Sequence, residues 1–306
     1  SSLPFEVPAS LRDKARRMGA VRMAIANVES PELAASVKAA IAAGVITPIL
    51  TGDPAQIARA ARVADLDLTG ITIEPAAGEA AAAARCVAMV RAGEAEAIMK
   101  GDIHTNVLLR AVIDRHTGIR RVKRLSHIFR MTVPGDDRAL YITDAAINVA
   151  PDCEQLVTIA GNAVRLAHAL GLSEPRVAFL SASEVVDPSM PSTLLMQQAA
   201  EAAQCEIARA LCAGPFAFDN AISPRAAALK NIRNGVAGHA DIVVVPNIET
   251  GNAMFNMMVW FMSACAAGVV VGAACPIVLT SRADPPEARL ASAICAALLA
   301  KATPQS

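Results

Sequence analysis

Short runs of apolar, β-branched residues alternate with longer alanine-rich stretches from one end of this chain to the other. That alternation narrows the possible folds more than any other feature of the sequence. Segments 21–26, 47–50, 71–73, 97–99, 139–143, 177–181, 242–246 and 276–280 read as strands. Segments 30–43, 78–91, 105–114, 153–170, 193–205 and 285–301 read as helices. Short apolar runs bounded by helical stretches are what strands buried on both faces look like. The expectation is an α/β protein with parallel layering. In such sheets ligands collect outside the carboxyl ends of the strands, so the residues to weigh are those that follow each strand.

A length of 306 residues, 54% of them hydrophobic, suits two domains with substantial cores. Lys+Arg and Asp+Glu both number 28, so no global charge points to nucleic acid or to an anionic membrane. Aromatic residues are 3%, too few for a base-stacking platform. Cys86, Cys153, Cys205, Cys212, Cys265, Cys275 and Cys295 are scattered and form no C-x-x-C pair. They read as reduced thiols of a cytoplasmic protein, with no zinc site. The N-terminus lacks a basic stretch followed by an apolar run, so no signal peptide is expected. The first residue is Ser, which fits a trimmed chain or a piece of a longer one.

No charged residue lies between Glu249 and Arg282, a length that could span a bilayer. Gly268, Gly272 and Pro276 break the run, and Asn252 and Asn256 lie within it. A buried helix over 251–267 followed by a buried strand over 275–280 fits better.

Polar turns follow the strands repeatedly. After Met99 come Lys100, Gly101, Asp102, Ile103, His104 and Thr105. Gly101 permits a tight turn, Thr105 can cap the next helix, and the free N–H groups of a helix start attract an anion. Arg110, in that helix, could reach back to the same place. The basic run Arg120, Arg121, Val122, Lys123, Arg124 precedes Ser126 and His127, either as a solvated turn or as a positive rim for an anionic ligand. Thr143 and Asp144 end a strand ahead of Asn148 and Pro151. Asp144 either caps a turn or faces a ligand. Gly214, Pro215, Phe216, Ala217, Phe218 and Asp219 form a further cluster, as do Pro246, Asn247, Glu249, Thr250, Gly251 and Asn252. Last come Thr280, Ser281, Arg282, Ala283 and Asp284, in which Arg282 is suited to bidentate phosphate binding.

In this order, Met-Lys-Gly, Ser-His, Thr-Asp, Gly-Pro-Phe-x-Phe-Asp, Pro-Asn-x-x-x-Gly-Asn and Thr-Ser-Arg-Ala-Asp resemble the motifs of the phosphate acetyl/butyryltransferases. The resemblance covers nearly the whole chain, and the last three motifs are the specific ones. The Thr-Ser-Arg-Ala-Asp form resembles the butyryltransferase branch, and also acyltransferase regions fused behind an enoyl-CoA hydratase. The resemblance implies two α/β/α domains with a cleft between them, in the architecture of isocitrate/isopropylmalate dehydrogenases. Domain I would take 1–127 plus 283–306. Domain II would take 128–282 and carry the interface of a homodimer, with helix 253–267 as a candidate element; burial within one subunit explains that helix as well.

The implied activity is transfer of a short acyl group, acetyl or butyryl, between coenzyme A and inorganic phosphate, directly in a ternary complex. Coenzyme A is then a substrate, and neither a metal nor a redox cofactor is expected. Arg282 and Arg110 would clamp phosphate, Ser281 would donate a hydrogen bond, and Asp284 or Glu287 would deprotonate the thiol. Lys100, Gly101, Thr105, Ser126, His127, Thr143, Asp144, Asn148, Asp219, Asn247, Gly251 and Asn252 would bind phosphate or coenzyme A. His127 and His104 are further candidates for the base. The sequence departs from the family pattern at Asn256, where members often have Lys, and at Glu287 and Ala288, near the position of the acetyltransferase base. An acyl-CoA-binding regulatory module of a larger enzyme, without turnover, is the alternative. A metal-dependent NAD dehydrogenase is disfavoured, since the chain has neither an Asp-x-x-x-Asp pair in a strand–helix turn nor a G-x-G-x-x-G fingerprint.

Overall fold

The computed structural model describes residues 6–281 and 284–302. The chain opens with α1 (Ala9–Met18), β1 (Val21–Ala26), α2 (Pro31–Ala42), β2 (Ile46–Gly52), α3 (Pro54–Ala64), β3 (Thr72–Pro75), α4 (Glu79–Arg91), β4 (Ala97–Lys100) and α5 (Thr105–Ile113). The middle supplies β5 (Ser126–Thr132), β6 (Ala139–Thr143), α6 (Cys153–Ala169), β7 (Arg176–Leu180), α7 (Pro191–Glu206), β8 (Leu211–Phe216), α8 (Phe218–Ile222), α9 (Pro224–Leu229), β9 (Ile242–Val244) and α10 (Ile248–Met262). It closes with β10 (Cys265–Val271), β11 (Ile277–Val278) and α11 (Pro286–Ala302). Two compact units result: a flanking unit from 6–123, 267–281 and 284–302, and a middle unit, Arg124–Ala266.

In the flanking unit β3, β2, β1, β4 and β11 pair in parallel, in that order. β10 adds an antiparallel pairing, Val270 opposite Ile277. β1 and β4 are apolar along nearly their whole length because helices cover both faces. The helix starts are locally encoded. Ser30 caps α2 by accepting the Leu33 N–H at 3.2 Å, and Asp53 caps α3 by accepting the Ala55 N–H at 2.9 Å. α11 buries most of its length, which its alanines permit by letting neighbours approach on several sides. The expected boundary at 283 differs from the one found. Residues 267–281 fall within the flanking unit, because Ile277 and Val278 pair with Ile98 and Met99 of β4.

In the middle unit β6, β9, β7 and β8 run parallel in that order, and β5 joins β6 antiparallel. Ile142, Leu180, Val243, Val245, Met131 and Ala264 form a buried cluster over which Met254, Phe255 and Met258 of α10 pack.

Three strands were illegible in the sequence. β8 contains Gly214-Pro215, which reads as a turn, β5 interleaves polar residues that turn out buried, and β10 sits inside the uncharged run. The buried helix expected over 251–267 is corrected. α10 ends at Met262, where Ser263 adopts a left-handed φ of 52°, and of its residues only Gly251 is buried. Trp260 and Phe261 are 80% and 88% exposed. The apolar run is therefore a surface helix followed by a buried β-branched strand. No described helix is long and apolar enough to cross a membrane.

Candidate active site

The carboxyl ends of β1, β4 and β11 open onto a cavity of about 510 Å³ in the flanking unit. Lys100 at the end of β4 and Gly101 and His104 after it line the cavity, with Glu29 and Ser30 after β1 and Thr280 and Ser281 after β11. This is where an open parallel sheet gathers a ligand.

Gly101 makes the close approach possible. Its N–H donates to the Ala26 carbonyl at 3.0 Å, and an added Cβ would run into that same carbonyl oxygen and stand 2.7 Å from the Asn27 oxygen. Asp102 then reaches the start of α2. Its carboxylate accepts the N–H groups of Glu29 (2.8 Å) and Ser30 (2.6 Å) and the Ser30 hydroxyl (2.8 Å). A carboxylate at a helix N-terminus is favoured by the dipole. Lys100 Nζ donates to the Thr280 carbonyl at 3.2 Å, tying the ends of β4 and β11 together.

Arg282, the expected phosphate clamp, lies outside the described residues. The nearest described residues on either side, Ser281 and Asp284, are tied to each other. The Ser281 N–H donates to the Asp284 carboxylate at 2.7 Å, and the Asp284 N–H donates to the Ser281 carbonyl at 3.1 Å. Arg289 of α11 also lines the cavity. It donates to the Ser281 carbonyl at 3.2 Å and to the Ser36 hydroxyl at 3.0 Å. Glu287 stands in the first turn of α11. Neither Asp284 nor Glu287 is among the residues that line the cavity.

Two expectations around α5 are corrected. His104, not Thr105, occupies the position before the helix, and it makes no side-chain cap; Thr105 is the first helical residue. Arg110 lines a separate groove of about 800 Å³ between α4 and α5, together with Arg91 and several alanines, so it does not reach back to Lys100. The helical register turns it away from the β4 end.

In the middle unit the predicted residues meet, but inside the protein. Ser126, His127, Thr143, Asp144 and Asn148 are all buried. Asp144 is the hub. Its carboxylate accepts the N–H groups of Ala146 (2.8 Å), Ile147 (2.9 Å), Asn148 (3.3 Å) and His127 (3.1 Å), and the Asn148 amide at 2.6 Å. With its acceptors taken by its own chain, it shapes the 144–148 turn and has none left to present to a ligand. Arg124, from the basic run, donates to Asn148 Oδ1 at 3.1 Å. Thr143 donates to the His127 carbonyl at 2.9 Å, and Asn162 donates to the Ser126 hydroxyl at 2.8 Å. Burial pushes the His127 pKa down to about 4, with the Asp144 charge acting in the other direction.

Gly251 also belongs to this cluster, since a Cβ there would stand 2.8 Å from the Asp144 carbonyl oxygen. Asn247 caps α10 by accepting the N–H of Thr250 at 2.9 Å. Asn252 is exposed and accepts from Asn256, one turn on, through its carbonyl at 3.0 Å. Asp219 is exposed on α8, and its carboxylate accepts the N–H of Asn220 at 2.8 Å.

The sequence reading missed Glu29, Ser30, Glu79 and Arg289 as cavity residues. The strand–turn–helix pattern used for β4 was also present at Asn27–Ser30 after β1 and could have found the first two. Cys86 is pushed up to about 12 by burial, and burial raises Cys275 as well, so neither is a thiolate at neutral pH. Among the described residues, no cluster of three or more His, Cys, Asp and Glu could hold a metal ion.

The family model described as phosphate acetyl/butaryl transferase matches residues 80–297. A phosphate acetyltransferase of Rhizobium meliloti is 47% identical over 258 residues, covering 84% of this chain and 82% of that one. A phosphate butyryltransferase of Clostridium acetobutylicum is 36% identical over 293 residues, covering 95% and 96%. A crystal structure of a branched-chain phosphotransacylase from Enterococcus faecalis V583 superposes with a TM-score of 0.80 at 31% identity, over 92% of this chain and 99% of that one. The chain therefore belongs to the phosphate acetyl/butyryltransferase family.

Proposed function

We propose that this protein is a phosphate acyltransferase that moves a short acyl group, acetyl or butyryl, between coenzyme A and inorganic phosphate, directly in a ternary complex. The observation that carries the reading is the cavity at the ends of β1, β4 and β11, where Lys100, Ser281 and Arg289 converge in a chain of this family. Acyl transfer requires a deprotonated thiol, a stabilised carbonyl oxygen and a bound phosphate leaving group. Lys100 and Arg282 supply positive charge for the phosphate, and Ser281 supplies a hydrogen-bond donor. Hydrogen bonding and charge suffice for this chemistry, so neither a metal nor a redox cofactor enters the reading.

The architecture proposed is that of the isocitrate/isopropylmalate dehydrogenases, each unit being an α/β/α layer. The protein is proposed to be cytoplasmic and to work as a homodimer built through the middle unit. The exposed Met257, Trp260, Phe261 and Met262 of α10 support that interface, since an apolar helix face of this kind is costly to leave in water. A thiol-consumption assay with coenzyme A and acetyl-phosphate or butyryl-phosphate tests the activity. Turnover dependent on both substrates is expected, and the absence of turnover with either overturns the reading. A kcat/KM series over acyl chain length then separates acetyl from butyryl preference, at about 1–3 kcal/mol per methylene.

A further inference from the structure

Resting on that reading, we propose that His104, oriented by Glu79, is the general base that deprotonates the coenzyme A thiol. Both residues line the cavity that also holds Lys100 and Ser281. His104 Nδ1 lies 2.9 and 3.0 Å from the two carboxylate oxygens of Glu79. The contact arises where two helices start: Glu79 is the first residue of α4, and His104 immediately precedes α5. An ionised carboxylate only accepts, so Nδ1 carries the proton. In the neutral ring Nε2 is then a lone-pair acceptor, and it makes no hydrogen bond to another described residue. This is the arrangement of a base held in one tautomer by a carboxylate behind it. The ring does not cap α5, so helix formation does not explain its placement.

The other carboxylates considered for the task are less well placed. Asp284 is engaged with the Ser281 N–H at 2.7 Å, and neither it nor Glu287 lines the cavity. His127 is buried and lies in the middle unit. The charged groups that share the cavity with His104 are Glu79 from α4, Lys100 from β4, Glu29, Glu32 and Asp102 around the start of α2, and Arg289 from α11. Hydrogen bonding to His104 lowers the Glu79 pKa, which keeps that carboxylate ionised and accepting.

The step balances without a further reactant. Nε2 takes the thiol proton, and the thiolate sulfur attacks the acyl carbon of the acyl phosphate. The C–S bond forms as the C–O bond to phosphorus breaks, and the imidazolium returns its proton to the departing phosphate oxygen. In the opposite direction the same Nε2–H protonates the leaving thiolate.

The test compares the parental protein with His104→Ala and Glu79→Gln in the acyl-phosphate direction, over a range of pH. His104→Ala is expected to lose about 10²–10⁴-fold in kcat, to lose the acidic limb of the pH profile, and to recover part of the rate on addition of imidazole. Glu79→Gln, which keeps the base but loosens its orientation, is expected to fall by a smaller factor. A purely structural role for His104 would leave the acidic limb in place. An active parental protein with a His104→Ala variant that is equally active, or that keeps the acidic limb, overturns this inference alone. An inactive parental protein overturns the acyltransfer reading and this inference with it. His104 is an exposed residue, so His104→Ala is expected to melt at the parental temperature.

Discussion

The carboxylate of Asp284 accepts the backbone N–H of Ser281 at 2.7 Å. That bond, with the return bond from the Asp284 N–H to the Ser281 carbonyl at 3.1 Å, makes Asp284 a fastener of Ser281. The oxygen of an Asn side chain can accept the same N–H. Asp284→Asn is therefore expected to keep kcat within about threefold of the parental value, whereas a lost general base costs about 10²–10⁴-fold. Asp284→Ala, which removes the acceptor, is expected to lower the rate more than Asp284→Asn. Steady-state kinetics of the two variants side by side decide the matter; a collapse of Asp284→Asn would restore Asp284 as a base.

Arg282→Lys keeps the charge but removes the planar fork that matches a phosphate. The expected result is a higher apparent KM for phosphate together with a lower kcat, read in the phosphate-dependent direction. Values within twofold of the parental protein in both parameters would remove Arg282 from the site.

His127 makes stability depend on pH. Burial holds its native pKa near 4, against an ordinary value of 6.5. Between those values the unfolded chain binds a proton that the native chain refuses, so stability is fully present above about 6.5 and is lost as pH falls through the window. The loss across it is about 2–4 kcal/mol. Urea unfolding at a series of pH values should show this slope in the parental protein. It should flatten in His127→Gln, which cannot take up the proton. Equal slopes in the two proteins would contradict the assignment.

Gly101→Ala should destabilise the flanking unit. The added methyl would collide with the Ala26 carbonyl and come within 2.9 Å of Leu33 Cδ2, so the β4–α5 turn must shift. Overpacking of this kind costs about 1–3 kcal/mol. A lowered urea midpoint with a parallel fall in activity is expected, and an unchanged midpoint would show that the turn gives way freely.

The exposed apolar end of α10 is expected to mediate self-association. Trp260→Glu and Phe261→Glu should convert a dimer into monomers by light scattering. Leu229→Glu, at a residue 79% exposed on α9, should leave the dimer intact. Dimers that survive both α10 substitutions would move the interface elsewhere.

Several elements were legible without coordinates because their causes are local. β1 and β6 match their sequence readings, 21–26 and 139–143, at both ends, since each is a short apolar run bounded by polar or glycine-containing turn residues. The start of α2 follows from Ser30 with Pro31 after it, and the polar turn after β4 from Gly101. The motifs that carry the family resemblance are likewise contiguous in sequence, so reading them required no knowledge of distance.

What the tertiary structure decided are relations between residues far apart in the chain. β11 pairs with β4, across 179 residues at Ile277 and Ile98, and this places 267–281 in the flanking unit. For Asp144 the sequence left a turn cap and a ligand contact both open, and burial with converging N–H groups made it the hub of a turn. Arg110 was placed by helical phase in a groove away from Lys100. Arg289 was brought to Ser281, and Glu79 to His104, by the packing of helices that composition and spacing do not orient. The sequence by itself determined the strand and helix grammar and the family, because periodicity and short motifs are properties of neighbours. Which polar side chains share one cavity was settled only by folding, because that depends on the burial of apolar faces between distant segments.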